Sequence, residues 1–207
     1  MDNIMVLGKD SLVPTKQRTA IYLLLDASGS MWKNKKEHLG GVNGYLEQMK
    51  MDSNSYILNI TLFSSVKNEV IREGNLEDAE FVTEEEYVTT GGTPLLDAAW
   101  NIIGRAEVAT EKEDKVIVIM QTDGEENSSV EVKLEDLKKK IEEKREDGWL
   151  FEFLGLGVDK FHGYSMGFAG PSAQTYTVGD SRAEWTMRSQ HSSCYASTGR
   201  RPEDSSK

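Results

Sequence analysis

Short apolar runs alternate with longer amphipathic stretches along most of this chain. The strongest runs have the length and the branched or aromatic composition of buried strands. They predict strands over residues 19–26, 56–62, 115–122 and 149–155, with weaker strands over 66–72 and 175–178. The connection before residues 66–72 is too short for a helical crossover, so this run is predicted to return antiparallel at an edge of the sheet.

The stretches between the runs place apolar residues at helical spacing. The apolar stripes of the first three predicted helices are Leu39, Val42, Leu46 and Met49, then Leu95, Ala99, Ile102 and Ala106, then Leu134, Leu137 and Ile141. The second helix is predicted to begin at Pro94, and Gly148 suits the end of the third. A short helix is predicted within 158–168, and Ser181 with Glu184 forms a predicted capping box for the last helix.

This alternation predicts an α/β fold with a doubly wound, mostly parallel six-stranded sheet. The predicted strand order is 3-2-1-4-5-6, with one antiparallel edge strand and helices on both faces. In such a sheet strands one and four are neighbours where the order reverses, and a crevice that binds ligands opens beyond their carboxyl ends. Side chains that follow these two strands are therefore the first candidates for a functional site.

Oxygen-bearing side chains stand at that predicted edge. Asp26, Ser28 and Ser30 follow the first strand in the pattern Asp-x-Ser-x-Ser, Thr93 precedes the second helix, and Asp123 follows the strand at 115–122. None of them offers the nitrogen or sulfur that zinc or copper favours, so they predict a hard cation. Mg²⁺ is bound through one or two carboxylates plus neutral oxygens, and Mn²⁺ or Ca²⁺ is an alternative. An ion held this way is short of ligands, and a carboxylate from another protein can complete its shell.

Each fragment also has a plain structural explanation. Ser and Asp are common helix N-caps, and Thr93 before Pro94 makes a good N-cap with proline at the first helical position. Thr122-Asp123-Gly124 is an ordinary turn signal. The joint occurrence of the fragments, in order and each at a predicted strand end or helix start, favours the metal site over these separate explanations.

The five residues resemble the metal-ion-dependent adhesion site of the von Willebrand factor type A (VWA) domain family, and all five motif positions are matched. The resemblance implies that Ser28 and Ser30 bind the ion directly, that Thr93 binds directly or through water, and that Asp26 and Asp123 act mainly through water. Residues 93–98, Thr-Pro-Leu-Leu-Asp-Ala, are similar to a stretch of stand-alone bacterial and phage members. The resemblance spans residues 19–196, which leaves an N-terminal extension at 1–18 and a polar tail at 197–207 that is predicted to be frayed.

Composition and charge narrow the class of protein. The 207 residues are 38% hydrophobic and 29% charged, as in one large globular domain. The formal net charge of −11 argues against nucleic acid and anionic membranes as partners. The lone cysteine, Cys194, cannot form an internal disulfide, and neither a secretory signal nor a membrane-spanning run is evident. The expected location is the cytoplasm.

Enzyme signatures are incomplete. Gly155-Leu-Gly157 lacks the third glycine of a dinucleotide fingerprint, since Lys160 stands there, and no phosphate loop is present. The three histidines, His38, His162 and His191, are scattered without metal spacing, and the serines have no identifiable base. The chain is therefore not expected to be an enzyme.

The sequence predicts a divalent-cation-dependent protein-binding module in which a Glu or Asp of the partner completes the coordination of Mg²⁺. One alternative is a structural subunit of a larger assembly with a structural cation, and a less favoured one is a metal-dependent hydrolase. The residues after the motif, Trp32, Lys33, Lys35 and Lys36, either flank the docking face or, for Trp32, pack against the domain. The acidic stretch 69–86 is predicted to be a solvated loop or surface, and its segment 84–86 is predicted to form either an acidic lip near the site or a solvent-exposed face.

Overall fold

Within the parts of the chain that the computed structural model describes, residues 18–112, 114–157, 161–168, 173–177 and 179–206, six strands form one sheet. The strands are β1 (Thr19–Asp26), β2 (Tyr56–Ser64), β3 (Lys67–Asn75), β4 (Lys115–Thr122), β5 (Leu150–Leu156) and β6 (Ala173–Tyr176). Their order is β3-β2-β1-β4-β5-β6, with β3 antiparallel to β2 and every other pair parallel. The predicted fold class, strand order and antiparallel edge strand are confirmed.

Helices cover both faces of the sheet. They are α1 (Lys35–Met51), α2 (Leu95–Ala109), α3 (Leu134–Glu146), α4 (Phe161–Ser165) and α5 (Ser181–Thr198). Strand β1 shows how the layers form, because alternate side chains of a strand point to opposite faces. Its residues Ile21, Leu23 and Leu25 join the core under α1 and α5, whereas Ala20, Tyr22 and Leu24 join the core under α2 and α3.

The predicted helix stripes are buried with one exception. Leu134, the first residue of α3, is 40% exposed, so the inward stripe of that helix begins at Leu137. The predicted strand at 175–178 is observed at Ala173–Tyr176, and residue 178 lies outside the described residues. Strand β3 extends to Asn75, so the first part of the acidic stretch 69–86 is the largely solvent-exposed surface of an edge strand, and the strand is longer than the predicted 66–72.

The predicted capping box of the last helix is wrong. Asp180 precedes α5 without a side-chain cap bond of its own, and the N–H of Ser181, the first residue, donates to Glu37 Oε1 of α1 at 3.4 Å. The Ser181 hydroxyl instead donates to the Glu37 carbonyl of α1 at 3.4 Å, because α5 packs tightly against α1 here. A Cβ on Gly41 of α1 would lie 2.3 Å from the Trp185 ring, so the contact requires glycine.

The polar end of the chain continues beyond the predicted domain limit at residue 196. Helix α5 runs to Thr198, Gly199 follows with φ +72°, and Pro202–Ser206 forms a short 3₁₀ helix. Arg201 joins this end to α3 by donating to the Arg145 carbonyl at 2.7 Å. None of the helices in the described residues combines the length and the apolarity that crossing a membrane requires. The predicted extension at 1–18 lies outside the described residues except for Arg18.

Candidate metal centre

The candidate residues gather at the carboxyl edge of the central strands. Asp26 is the last residue of β1, Asp123 follows β4, and these two strands are paired neighbours. A 3₁₀ helix, Gly29–Asn34, begins directly after Ser28 and carries Ser30. Thr93 lies two positions before the first residue of α2. The strand order therefore places all five side chains at the edge where the sequence predicted the site.

Hydrogen bonds join the two serines to Asp123. Ser30 Oγ donates to Asp123 Oδ1 at 2.6 Å, and the hydroxyls of Ser28 and Ser30 are 3.0 Å apart. A hydroxyl has a single hydrogen to donate, so Ser28 is the donor to Ser30 in this chain of bonds. Both serine oxygens keep lone pairs for another ligand.

Asp26 is fully buried and held at both carboxylate oxygens. Oδ1 accepts from the Ser28 backbone N–H at 2.7 Å, and Oδ2 accepts from Thr122 Oγ1 at 2.5 Å. The Tyr87 hydroxyl donates to the Asp26 carbonyl oxygen. Burial raises the pKa of the Asp26 carboxyl to about 6, although the bonds from Thr122 and Ser28 act in the opposite direction. Burial likewise raises the pKa of Asp123, against the bond from Ser30.

Thr93 is placed by its backbone rather than by its hydroxyl. Its N–H donates to Asn127 Oδ1 at 2.9 Å, and its carbonyl accepts from the Asn127 N–H at 3.2 Å. Among the described residues the Thr93 hydroxyl has no hydrogen-bond partner, although the residue is buried. A Cβ on Gly124 would lie 2.9 Å from Thr93 Oγ1 and 3.7 Å from Ser30 Oγ. The two hydroxyls therefore flank one small space, which the absence of a side chain at Gly124 keeps open.

The motif's hydroxyls do not make helix-capping bonds. Ser28 occupies the N-cap position of the 3₁₀ helix but makes no side-chain cap bond. The N-cap position of α2 is taken by Pro94, again without a side-chain cap, so Thr93 does not cap this helix. The hydroxyls of Ser28, Ser30 and Thr93 are consequently available to the space they surround.

Several supporting residues were not predicted from the sequence. Glu126 accepts from the Leu96 N–H at 3.0 Å, and Ser129 Oγ accepts from the N–H groups of Leu96 and Asp97 at 3.1 and 3.2 Å. In return, the Asp97 carboxylate accepts from the backbone N–H groups of residues 130, 131 and 132. We call this reciprocal arrangement of residues 126–132 with the start of α2 the clasp.

The clasp caps α2 from a loop about thirty positions away, which explains why local sequence did not reveal it. It joins the loop after Asp123 to the helix after Thr93, and Asn127 lies within it. Two residues could have pointed to these contacts in the sequence. Asp97 in the Thr-Pro-Leu-Leu-Asp-Ala stretch belongs to the clasp, and Thr122, next to Asp123, supports Asp26. Neither signal specifies a partner.

The acidic segment 84–86 does not act as one lip. Glu86 forms a bidentate pair with Arg72 at 2.7 and 2.9 Å, and this bond is the main reason that the pKa of Glu86 falls to about 2. The Glu84 carbonyl accepts from Lys35, and its carboxylate lies 3.9 Å from Lys36.

Two of the three histidines have side-chain partners away from the candidate residues. His38 contacts Gln121, and His191 lies 2.6 Å from Glu152.

The oxygen set fits a hard divalent cation. Among the described residues no group of three or more His, Cys, Asp and Glu side chains is arranged to hold a metal, and the candidate centre instead combines two carboxylates with three hydroxyls. Neither Asp26 nor Asp123 has a salt-bridge partner within the described chain. Charges taken out of water require compensation, and a small dication would supply it with ligands of the type that Mg²⁺ accepts.

Comparison with known proteins supports the fold. No family model and no curated protein matches the sequence. The pilus adhesin SpaC from Lactobacillus rhamnosus GG, in an open conformation, is similar with a TM-score of 0.68 and 11% identity over 86% of this chain and 30% of that chain. The von Willebrand factor type A structure from Catenulispora acidiphila gives 0.60 and 14% identity over 86% of this chain and 43% of that chain.

A third structure, the manganese-loaded TRAP protein of Plasmodium vivax, has a TM-score of 0.55 and 16% identity over 81% of this chain and 72% of that chain. The chain thus spans less than half the length of the first two structures, and at such identities the likeness concerns the fold alone. The six-stranded sheet, its order and these similarities together show that this chain has the α/β fold of a VWA domain.

Proposed function

We propose that this chain is a divalent-cation-dependent protein-binding module and not an enzyme. In this proposal Ser28, Ser30 and Thr93 hold Mg²⁺, while Asp26 and Asp123 orient the ion and its waters. A Glu or Asp side chain of a partner protein supplies the remaining ligand. Mn²⁺ would be accepted in the same oxygen set.

The observation that carries the proposal is the uncompensated acidity of the centre. Asp26 is fully buried and Asp123 is half-buried, and both accept hydrogen bonds from hydroxyl groups. Neither forms a salt bridge within the described residues, although the exposed Lys33 acts on Asp123 over a longer range. A dication at this place would favour the ionised form of both carboxylates and would relieve the cost of their burial.

The solvent exposure of the candidate centre supports a ligand supplied by another protein. Ser30 is exposed and Asp123 is partly exposed, so the centre opens to solvent at the carboxyl edge. Two carboxylates and neutral hydroxyls leave the ion electrophilic and with free coordination positions. The similar structures include proteins described as a pilus adhesin and a minor pilin, which agrees with a role in protein attachment.

The test uses the full chain as bait in extracts of its native host. Specific partners should bind in Mg²⁺, dissociate in EDTA, and bind again when Mg²⁺ or Mn²⁺ is restored. Ser28→Ala should lose the same partners while circular dichroism shows an intact fold, whereas the exposed Ser55→Ala at the opposite edge should retain them.

Partners that bind equally in EDTA and to Ser28→Ala would contradict the proposal. Loss of the folded state itself in EDTA would favour the alternative, a structural cation within a larger assembly. Thermal unfolding in both buffers separates these outcomes.

A further inference from the structure

The loops around the candidate centre carry several highly exposed apolar side chains. Trp32 is 73% exposed, Val66 70%, Val88 53% and Val130 88%. Each of them lies in a segment at the carboxyl edge: the 3₁₀ helix after Ser28, the turn between β2 and β3, the segment before α2, and the loop after β4. Together with Lys33 we call these four residues the rim.

Hydrogen bonds fix the rim segments around the centre. The Gly29 N–H donates to the Gly91 carbonyl at 2.9 Å, and the Thr90 N–H donates to the Ala27 carbonyl at 2.8 Å. The Gly92 N–H donates to Ser65 Oγ at 2.8 Å, and the Val130 N–H donates to Asp97 Oδ2 at 2.8 Å. The rim is therefore a framed surface around the centre and not a set of independent loop tips.

Charge selects the kind of partner that this surface fits. Lys33, Lys35 and Lys36 place three cations in four positions of a chain whose net charge is −11. Lys35 and Lys36 are both engaged with Glu84, but Lys33 has no salt bridge within the described residues. Lys33 also lies near enough to Asp123 to act on it electrostatically. The positive charge of Lys33 on the surface of this acidic chain would attract an acidic segment of a partner protein.

The exposed indole of Trp32 adds a contact of another type. Tryptophan is one of the residue types whose truncation in an interface most often weakens binding strongly, because the ring buries a large apolar area. Four exposed apolar side chains around one charged centre also match the usual interface arrangement of apolar anchors with a few polar contacts.

We propose that the rim docks an acidic segment of a partner protein. One carboxylate of the segment binds the ion, a second pairs with Lys33, and an aromatic or branched apolar side chain packs on Trp32 and the valines. This inference rests on the proposed function, and it adds the composition of the partner segment and the residues that select it.

The experiment selects short random peptides displayed on phage against the full chain in Mg²⁺. The enriched peptides are then synthesised and their affinities measured by fluorescence polarisation. We expect peptides with at least two acidic residues and one aromatic or branched apolar residue. Trp32→Ala and Lys33→Glu should each weaken binding about tenfold or more, and both substitutions are on the surface.

Matched controls lie at the opposite edge of the sheet. Met51→Ala removes another highly exposed apolar side chain, and Lys112→Glu makes the same charge change as Lys33→Glu. Both should bind the peptides as the unchanged chain does. Replacing the second acidic residue of a peptide by lysine should restore its binding to Lys33→Glu.

The outcomes separate the rim from the metal centre. Peptides that need Mg²⁺ and Ser28 but bind Trp32→Ala and Lys33→Glu at full strength would overturn the rim inference and leave the proposed function standing. Acidic peptides that need the rim but bind in EDTA would contradict the proposed function, and with it the assignment of one carboxylate to the ion. Failure to enrich acidic peptides, or displacement of the peptides by single-stranded DNA binding through Trp32 and Lys33, would also overturn the inference.

Discussion

Two acidic side chains are fully buried within the described residues, and their surroundings differ. Glu152 of β5 accepts from Arg188 of α5 at 2.8 Å, and His191 lies 2.6 Å from the same oxygen. Asp26 of β1 accepts only from the Thr122 hydroxyl and the Ser28 N–H. The protein supplies its own cation to Glu152 but none to Asp26. This difference is what the proposed function requires, since a cation at the carboxyl edge would have to come from outside the chain.

The largest expected effect lies at the internally compensated site. Arg188→Met removes the cation and leaves Glu152 buried, which should lower the free energy of unfolding by about 3–5 kcal/mol. The double variant Glu152→Leu/Arg188→Met should recover most of that loss, since neither charge is then buried. Urea unfolding measures both, and Arg182→Met, an exposed arginine on the same helix, is the control. An equal loss in the single and double variants would show that packing rather than charge dominates.

The second prediction concerns the buried His38 of α1, which contacts Gln121 two positions before Asp123. Burial lowers the pKa of His38 to about 4, against the bond from Gln121, whereas the unfolded value is 6.5. The unfolded state therefore binds more protons between these values, so the contribution of His38 is complete above pH 6.5 and is lost as the pH falls toward 4.

As the pH falls from 6.5 to 4, the free energy of unfolding of the unchanged chain should therefore decrease by about 2–3 kcal/mol relative to that of His38→Asn. Urea unfolding at several pH values in EDTA gives the difference. A difference that is constant from pH 7 to pH 4 would contradict the neutral, buried histidine.

A smaller effect is expected when the charge of Asp26 is removed. Asn keeps the shape and an acceptor for the Ser28 N–H, and it no longer carries a buried charge. In EDTA at neutral pH, Asp26→Asn should change the free energy of unfolding by no more than about 1 kcal/mol, or raise it. A loss as large as that of Arg188→Met would mean that Asp26 is compensated within the protein and would remove the contrast with Glu152.

A comparably small effect is expected in the clasp. Asn127→Ala removes the acceptor of the Thr93 N–H and should cost about 1 kcal/mol of stability. Because Thr93 is then positioned less firmly, the affinity for Mg²⁺ should fall severalfold while Asn68→Ala, an exposed control, leaves it unchanged. Unchanged affinity in Asn127→Ala would show that the clasp serves the helix and not the centre.

The sheet could be predicted from the sequence because strands buried on both faces are nearly continuous apolar runs. Strand β1 is apolar from Ala20 to Leu25 and ends in a carboxylate, and the runs at β2, β4 and β5 are also distinct. The proximity of Asp26 and Asp123 could be predicted because parallel topology brings the ends of neighbouring strands to one edge. Two local patterns gave wrong predictions. Ser181 contacts Glu37, which is 144 positions away, instead of capping its own helix, and Leu134 is exposed although it continues the apolar spacing of α3.

What could not be predicted is the set of long-range polar contacts. Arg188 and Glu152 are, in sequence, ordinary charged residues of the kind found on surfaces, and only the packing of α5 on the sheet shows that they are buried together. The caps supplied to α2 by Glu126 and Ser129 likewise depend on a loop that returns over the helix start.

Titration calorimetry of the full chain with Mg²⁺ and Mn²⁺ tests the central claim most directly. The account predicts one ion bound per chain, with binding lost in Ser28→Ala and Asp26→Asn and retained in Ser55→Ala. Folded protein that takes up neither ion, or variants that bind as the unchanged chain does, would contradict it.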